Sequence, residues 1–188
     1  SDERMQRIFA GDTPHNAAEL KALEKRAKEI AARVVPCTVA VELGGGSGSG
    51  VIISEDGYVL TAGHVSGRAG RNVSVIMHDG RRVSGKTLGA NIGIDAGLIK
   101  LEGEESWPFC EMGKSNDLEN GQWCLGTGHS GGLQRDRTPP VRLGRVIVNH
   151  RHGIQSGVML VGGDSGGPLF DMDGMVIGIH SRIGGELM

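Results

Sequence analysis

The 33 glycines of this 188-residue chain constrain its fold more than any other feature of the sequence. They form no repeat; instead they separate short runs of β-branched and other apolar residues. Glycine distributed in this way marks the turns and bends between strands. From Pro36 onward, the sequence therefore predicts an all-β structure.

Two groups of candidate strands follow Pro36, with a polar connection between them. Six strands and then five predict two packed antiparallel β-barrels or sandwiches; if they are two six-stranded β-barrels, the last strand of the second is absent or supplied from elsewhere. The predicted units are an N-terminal segment with a helix (1–35), a first barrel (36–102), a connection (103–120) and a second barrel (121–188). The predicted strands are 38–43, 50–54, 58–62, 72–77, 82–88 and 97–101, then 122–126, 141–149, 157–161, 168–170 and 175–182.

One helix is predicted, over residues 16–35, because apolar residues recur there at helical spacing. Asn16 can cap it, Glu19 lies three residues later as in a capping box, and Pro36 ends it. The helix either packs on its own chain or docks on a neighbouring subunit. Residues 1–14 are expected to be irregular.

Composition and charge exclude several function classes. The 20 basic and 22 acidic residues nearly cancel, which argues against nucleic acid as a partner, and no apolar run approaches the ~20 residues that span a membrane. Cys37, Cys110 and Cys124 have no CxxC spacing, so at most one pair can form and a zinc site is not expected. His150 and His152 lack a third ligand nearby, and neither metal nor cofactor is predicted.

The hexapeptide GDSGGP, with Ser165 at its centre, carries the strongest chemical signal. Glycines on both sides allow a tight turn in which the amides of Gly163 and Ser165 converge on one point. A serine nucleophile needs such an oxyanion site and also a base that removes its proton. We predict that Ser165 is that nucleophile.

A base and its orienting acid are both available in the first β-rich half. His64 lies at the end of the candidate strand 58–62, in the motif Thr-Ala-Gly-His. Asp95 stands immediately before an apolar strand. A near-neutral imidazole suits proton transfer, and a carboxylate beside a buried strand needs a partner. The chain order His64, Asp95, Ser165 predicts a catalytic triad at the junction of the two barrels.

The blocks TAGHV, DAGLIKL and GDSGGP resemble the three signatures of the chymotrypsin-like serine peptidases, over residues 36–185. The segment GSGSGVIISEDGYVLTAGHV, Val65 after the histidine and the preceding helix resemble the bacterial HtrA (DegP-like) branch. This resemblance implies an endopeptidase of protein quality control that cleaves unfolded or misfolded polypeptides through an acyl-enzyme. It also implies a periplasmic or secreted location, a trimer formed through the N-terminal helix, and a PDZ domain after the chain end.

The sequence departs from the HtrA pattern at Asp164, where that branch usually has Asn. In the digestive enzymes this acid pairs with a freed N-terminus, but no activation sequence of that kind precedes the first barrel. Another cation should therefore neutralise Asp164, and Arg182 is the expected partner.

The resemblance also places the specificity pocket, along residues 157–162 and 181–184. Met159 would lie near its base, and Ser181, Arg182 and Ile183 would pair with the substrate backbone. Small or medium apolar residues are expected at the cleavage position. The loop at His129 is expected to regulate the site by ordering.

A non-catalytic peptide-binding or chaperone-like module could use the same fold and groove without hydrolysis. An α/β hydrolase is excluded because its GxSxG serine precedes its histidine in the chain, whereas His64 precedes Ser165 here.

Overall fold

The computed structural model describes residues 1–132, 134, 137–151 and 153–181. Within these ranges the chain forms three α-helices and eleven β-strands. The first six strands make one barrel, the last five make one sheet, and the two longer helices precede both. The predicted all-β architecture with an N-terminal helix is confirmed.

The first barrel is closed and antiparallel, as predicted. Alternate side chains of its strands point inward, where Val39, Val41, Ile52 and Ile99 are fully buried and form the barrel core. The strands are β1 (Thr38–Leu43), β2 (Gly46–Ile52), β3 (Tyr58–Ala62), β4 (Asn72–Ile76), β5 (Arg82–Asn91) and β6 (Ala96–Leu101), hydrogen-bonded in the order β1-β2-β3-β6-β5-β4 with β4 returning to β1.

The second group of strands forms a five-stranded sheet in the described part of the chain. The sequence predicts a six-stranded barrel that lacks one strand, and the described residues form five strands. The strands are β7 (Trp123–Thr127), β8 (Val141–His150), β9 (Gly153–Ser156), β10 (Pro168–Phe170) and β11 (Val176–Ile179), in the order β11-β10-β7-β8-β9.

The predicted strand at residues 157–161 is wrong. The chain reverses directly after β8, so that Gly153 pairs with His150 and the partner strand β9 ends at Ser156. In a tight hairpin the turn sets the register of the two strands, so the partner of β8 starts at Gly153. The prediction rested instead on the apolar pattern of residues 157–161. Met159 and Val161 instead lie in an irregular, exposed segment.

The glycine-rich stretch of residues 44–50, which follows β1, lies largely within a strand. β2 begins at Gly46 and includes most of it. A Cβ atom at Gly48 would lie 2.7 Å from Val65 Cγ2 and 2.9 Å from the Ser165 carbonyl oxygen. The absence of a side chain therefore allows β2 to approach the serine loop closely.

Helix α2 (Ala17–Val34) matches the predicted helix, and the Asn16 side chain caps it by accepting from the Glu19 amide at 3.0 Å. Its buried face packs with Leu125 and Phe170 of the second sheet, so the helix docks on its own chain. A second helix, α1 (Asp2–Phe9), occupies the segment expected to be irregular. No helix in the described ranges is long and apolar enough to cross a membrane.

The connection between the two strand groups contains a short 3₁₀ helix, Ser115–Asp117, and contacts both groups. Trp107 is buried in the first barrel core, and its amide donates to the Glu55 carbonyl at 2.9 Å. Further along, Met112 forms an isolated bridge with Val176 of β11. These contacts fix the second sheet against the barrel.

Candidate active site

His64 lies at the point where β3 ends. It is the second residue of the short helix α3 (Gly63–Ser66), which follows the strand directly. The amides of Gly63 and His64 donate to the Asp95 carbonyl and to Asp95 Oδ1, both at 2.9 Å. The backbone that leads into His64 is therefore held by Asp95.

Asp95 lies immediately before β6, where strand pairing joins Ala96 to Ala62 of β3. The pairing brings Asp95 and His64 to the same end of two neighbouring strands. The backbone of Asp95 has φ +52°, and it is the only residue other than glycine with positive φ among those described. Such a conformation is uncommon outside glycine, although Asp tolerates it better than most residues.

The Asp95 carboxylate is the centre of the hydrogen-bond network. Its Oδ2 lies 2.8 Å from His64 Nδ1 and accepts from Ser181 Oγ at 2.5 Å. Burial favours a higher pKa for this carboxyl, but the hydrogen bonds from Ser181 and His64 outweigh burial and hold its pKa below the ordinary value. Asp95 is therefore ionised at neutral pH.

The ionised carboxylate fixes the tautomer of the histidine. His64 Nδ1 faces Asp95 and carries the proton, so the Nε2 lone pair is free to accept one. The His64 side chain is about half exposed, at 52 %, whereas that of Asp95 is 11 % exposed. This is the arrangement of a base that can reach a substrate and of an acid that orients it.

Ser165 lies in a turn that leads into β10. The carbonyl of Ser165 accepts from the Ser49 amide at 2.7 Å, and the carbonyl of Gly163 accepts from Ser49 Oγ at 2.7 Å. A Cβ atom at Gly166 would lie 2.3 Å from Thr61 Oγ1, so the turn is packed against the end of β3. His64 follows Thr61 by three residues, and the structure thus brings all three predicted triad residues to one place.

The amides of Gly163 and Ser165 donate no hydrogen bond within the described residues. Gly163 has φ +95°, a conformation that favours glycine, and its carbonyl is turned toward Ser49. Two unpaired donors in one turn can bind an oxyanion. In the described part of the chain no hydrogen bond joins Ser165 to His64; catalytic hydrogen bonds are often long before substrate binds.

Asp164 is buried, at 1 % exposure, and its partner is Arg142 of β8. Arg142 Nη1 donates to Asp164 Oδ2 at 2.9 Å, and Ser130 Oγ donates to Oδ1 at 2.6 Å. The Val161 amide also donates to Oδ2, at 2.9 Å. The expected partner, Arg182, lies outside the described residues, and the structure assigns the neutralising role to Arg142.

Two buried histidines lie beside this ion pair. Burial lowers the pKa of His180 to about 4; nearby Asp164 opposes this effect and Arg142 adds to it. Burial also lowers the pKa of His129, with Arg137 acting in the same direction and Thr38 and Asp164 opposing. Both rings are therefore neutral at pH 7.

The predicted specificity segment is only partly described. Met159 is 74 % exposed, and Ser181 Oγ is engaged with Asp95. Arg182 and Ile183 lie outside the described residues. The loop at His129 contacts the serine turn, because the Gly131 amide donates to the Gly162 carbonyl at 2.6 Å.

Three residues that hold the serine turn were missed by sequence reasoning, namely Ser49, Ser130 and Arg142. Arg142 left one signal, because it is a cation inside a predicted strand that is otherwise largely apolar. The two serines lie among glycines and left no signal, since nothing local distinguishes a serine that bonds a distant loop.

Comparisons with known proteins agree on one family. Residues 48–179 match the family model described as the trypsin-like peptidase domain. A probable periplasmic serine endoprotease DegP-like from Chlamydia muridarum is 38% identical over 141 residues, which are 72% of this chain and 28% of that protein. The protein of the same description from Pseudomonas fulva is 34% identical over 192 residues, which are 96% of this chain and 40% of that protein.

A solved structure has the same fold over most of its own length and most of this chain. The crystal structure of Deg5 superposes with a TM-score of 0.72 at 25% sequence identity, covering 85% of this chain and 86% of that chain. The chain spans less than half the length of the curated relatives described above.

Proposed function

The chain belongs to the trypsin-like peptidase family, in its HtrA (DegP-like) branch, and from this membership we propose that it is a serine endopeptidase acting on unfolded or misfolded polypeptides. The observation that carries the proposal is the contact of His64 Nδ1 with Asp95 Oδ2 at 2.8 Å, made beside the turn that holds Ser165. Fold alone would not support an activity, because many functions share each fold.

In the proposed reaction Ser165 Oγ attacks the carbonyl carbon of the substrate while its proton passes to His64 Nε2. The oxyanion that forms is bound by the amides of Gly163 and Ser165. His64 then donates the proton to the leaving amine, which leaves an acyl group on Ser165. Water hydrolyses this ester by the same proton route in reverse.

Asp95 acts in this scheme through His64. Its negative charge stabilises the imidazolium that forms when the serine is deprotonated, and its position keeps Nε2 directed away from Asp95. Ser181 supports Asp95 by donating to it at 2.5 Å.

The proposed substrates are extended polypeptides with small or medium apolar residues at the cleavage position. Support comes from Met159, which is neither acidic nor basic and lies with Val161 in the exposed segment before the serine turn. The substrate backbone would pair with Ser181, Arg182 and Ile183 as an added strand.

The names of the relatives favour a periplasmic location, and the resemblance to the HtrA branch favours a role in protein quality control. Exposed Leu20 on α2 supports the assembly of subunits through the N-terminal helix, for which a trimer is the proposed form.

A fluorophosphonate probe tests the proposal, because it labels only a serine with a working base and oxyanion site. We expect stoichiometric labelling of Ser165 in the unmodified chain, loss of labelling in Ser165→Ala, and parallel results in casein digestion. The chain could instead bind casein with the same affinity as Ser165→Ala and neither label nor digest. That result would support the non-catalytic peptide-binding function.

A further inference from the structure

Cys37 and Cys110 meet where the N-terminal helix, the first barrel and the connection come together. Cys37 ends the short helical turn Val35–Cys37 that leads into β1, and Cys110 lies in the connection. Both are free thiols, 3 % and 5 % exposed, and neither has a role in the proposed peptidase reaction.

Strand pairing explains why the two residues are neighbours. β1 pairs with β2 from Thr38 opposite Val51, so that the pairing stops one residue before Ile52. Beyond that point the connection, and not β1, bonds to β2, because the Cys110 amide donates to the Ile52 carbonyl at 2.9 Å. Cys110 therefore lies beside β2 just where β1 begins after Cys37.

The side chains of the two residues also meet. Cys37 and Cys110 belong to the same buried cluster, and each thiol shifts the pKa of the other; the Cys37 thiol donates to the Arg33 carbonyl at 3.7 Å. The third cysteine, Cys124, is buried in a separate cluster within the second sheet. The chain thus contains one adjacent pair of thiols and one isolated thiol.

The pair is asymmetric in acidity. The neighbouring Cys110 thiol lowers the pKa of Cys37, although burial opposes this, and the Arg33 cation acts in the same direction as Cys110. The same contact raises the pKa of Cys110. Because the thiolate is the attacking species in disulfide exchange, Cys37 is the better nucleophile of the two.

We propose that Cys37 and Cys110 form a disulfide by exchange with an external disulfide, either a small molecule such as oxidised glutathione or a protein oxidant. The Cys37 thiolate attacks one external sulfur, forms a mixed disulfide and releases the other sulfur as a thiol. The Cys110 thiolate then attacks the Cys37 sulfur and releases the second thiol. Two protein thiols are oxidised, one external disulfide is reduced to two thiols, and two protons balance the exchange.

The bond closes a ring of residues 37–110, which contains the whole first barrel with His64 and Asp95. A ring of this size restricts the unfolded chain strongly and stabilises the folded one. The inference does not depend on the proposed function, since it concerns residues remote from Ser165 in sequence and a reaction without peptide cleavage.

Refolding of the full chain in glutathione buffers of different redox ratio tests the proposal, because the folded pair is buried and exchange needs a partly open chain. The product is denatured in acid and treated with N-ethylmaleimide, and its mass gives the number of free thiols. We expect one adduct after oxidising refolding and three after reducing refolding, since Cys124 stays free. The thermal midpoint should be about 5–15 °C higher in the oxidised chain.

Tryptic mapping of the denatured, unreduced chain identifies the bond, because cleavage after Lys and Arg places the cysteines on separate peptides, 34–68, 101–114 and 115–135. A linked 34–68/101–114 pair is the expected product. Cys124→Ala is the matched control and should keep both this link and the thermal shift, whereas Cys37→Ala and Cys110→Ala should lose both. Three adducts in the unmodified chain at every redox ratio, or a link that includes 115–135, would overturn the proposal.

Discussion

Arg142 donates from Nη1 to Asp164 Oδ2 at 2.9 Å, and a cation of β8 thereby fixes the residue that precedes Ser165. Ser130 Oγ and the Val161 amide complete the shell around the same carboxylate. This ion pair is built entirely within the second sheet and its loops, so neutralisation of Asp164 needs no N-terminus freed by cleavage.

Replacement of Arg142 by Met is expected to lower both stability and activity. It leaves a buried carboxylate without its cation, which costs about 3–5 kcal/mol, and releases the turn that carries Ser165. The double variant Arg142→Met with Asp164→Asn should recover a large part of the stability, because the charge is removed with its partner. Urea unfolding and kcat/KM on a peptide substrate give both quantities.

Arg82→Met is the matched control for this series. Arg82 pairs with Glu42 on the first barrel, and both side chains are at least one third exposed. Exposed ion pairs contribute little to stability, so stability and kcat/KM should hardly change. Equal losses in Arg82→Met and Arg142→Met would contradict the role assigned to Arg142.

Gly163→Ala is expected to reduce kcat/KM by roughly 100-fold or more, because it displaces an oxyanion donor. The backbone has φ +95°, and an added Cβ would lie 2.4 Å from the His129 carbonyl oxygen. Gly162→Ala is the neighbouring control, since its Cβ would enter open space. Fluorophosphonate labelling rates and kcat/KM of the two folded variants should differ; similar losses in both would count against this oxyanion site.

Ser181→Ala removes the hydroxyl that donates to Asp95 at 2.5 Å. The pKa of Asp95 should rise, the carboxylate should lose a group that orients it toward His64, and kcat should fall roughly tenfold with little change in KM. Ser181→Thr retains a hydroxyl and should recover most of kcat. A change confined to KM would instead assign Ser181 to substrate binding alone.

His180 makes stability depend on pH below neutrality. Its pKa is about 4 in the folded chain and ordinary in the unfolded chain, so between these values only the unfolded state binds the proton. The free energy of unfolding should therefore fall as pH decreases from about 6.5 toward 4, by up to about 3 kcal/mol.

Urea unfolding at several pH values in this range measures the effect. In His180→Phe, which has no titrating nitrogen, the free energy of unfolding should fall with decreasing pH less steeply, by about 1 kcal/mol per pH unit. The pH dependence that remains in this variant includes the contribution of His129. Parallel curves for His180→Phe and the unmodified chain would exclude His180 as the cause.

Profiling with a peptide library tests the proposed specificity. We expect preferential cleavage after small or medium apolar residues, because Met159 offers no charge to a basic or acidic side chain. A preference for Lys or Arg would refute the assignment of Met159 to the pocket.

Local patterns explain why much of the fold could be predicted. The strands of the first barrel have alternating apolar residues between glycine-rich turns, and Asn16 caps α2 as its sequence context indicates. Helix α1 was missed because it has eight residues, too few to be stable alone. Burial of Ile8 in the core and the bonds from Arg4 to Glu19 and Asp12 hold it in place.

The sequence by itself determined the chemistry of the candidate site. Ser165 between glycines, His64 after its strand and Asp95 before another are local arrangements, and their chain order is sufficient to predict a triad. The tertiary structure alone decided which groups support them. Arg142 on Asp164, Ser49 on the serine turn, and Cys110 beside Cys37 are contacts between residues 22, 114 and 73 positions apart. Partners at such separations are fixed by strand register and sheet order, which local patterns do not specify.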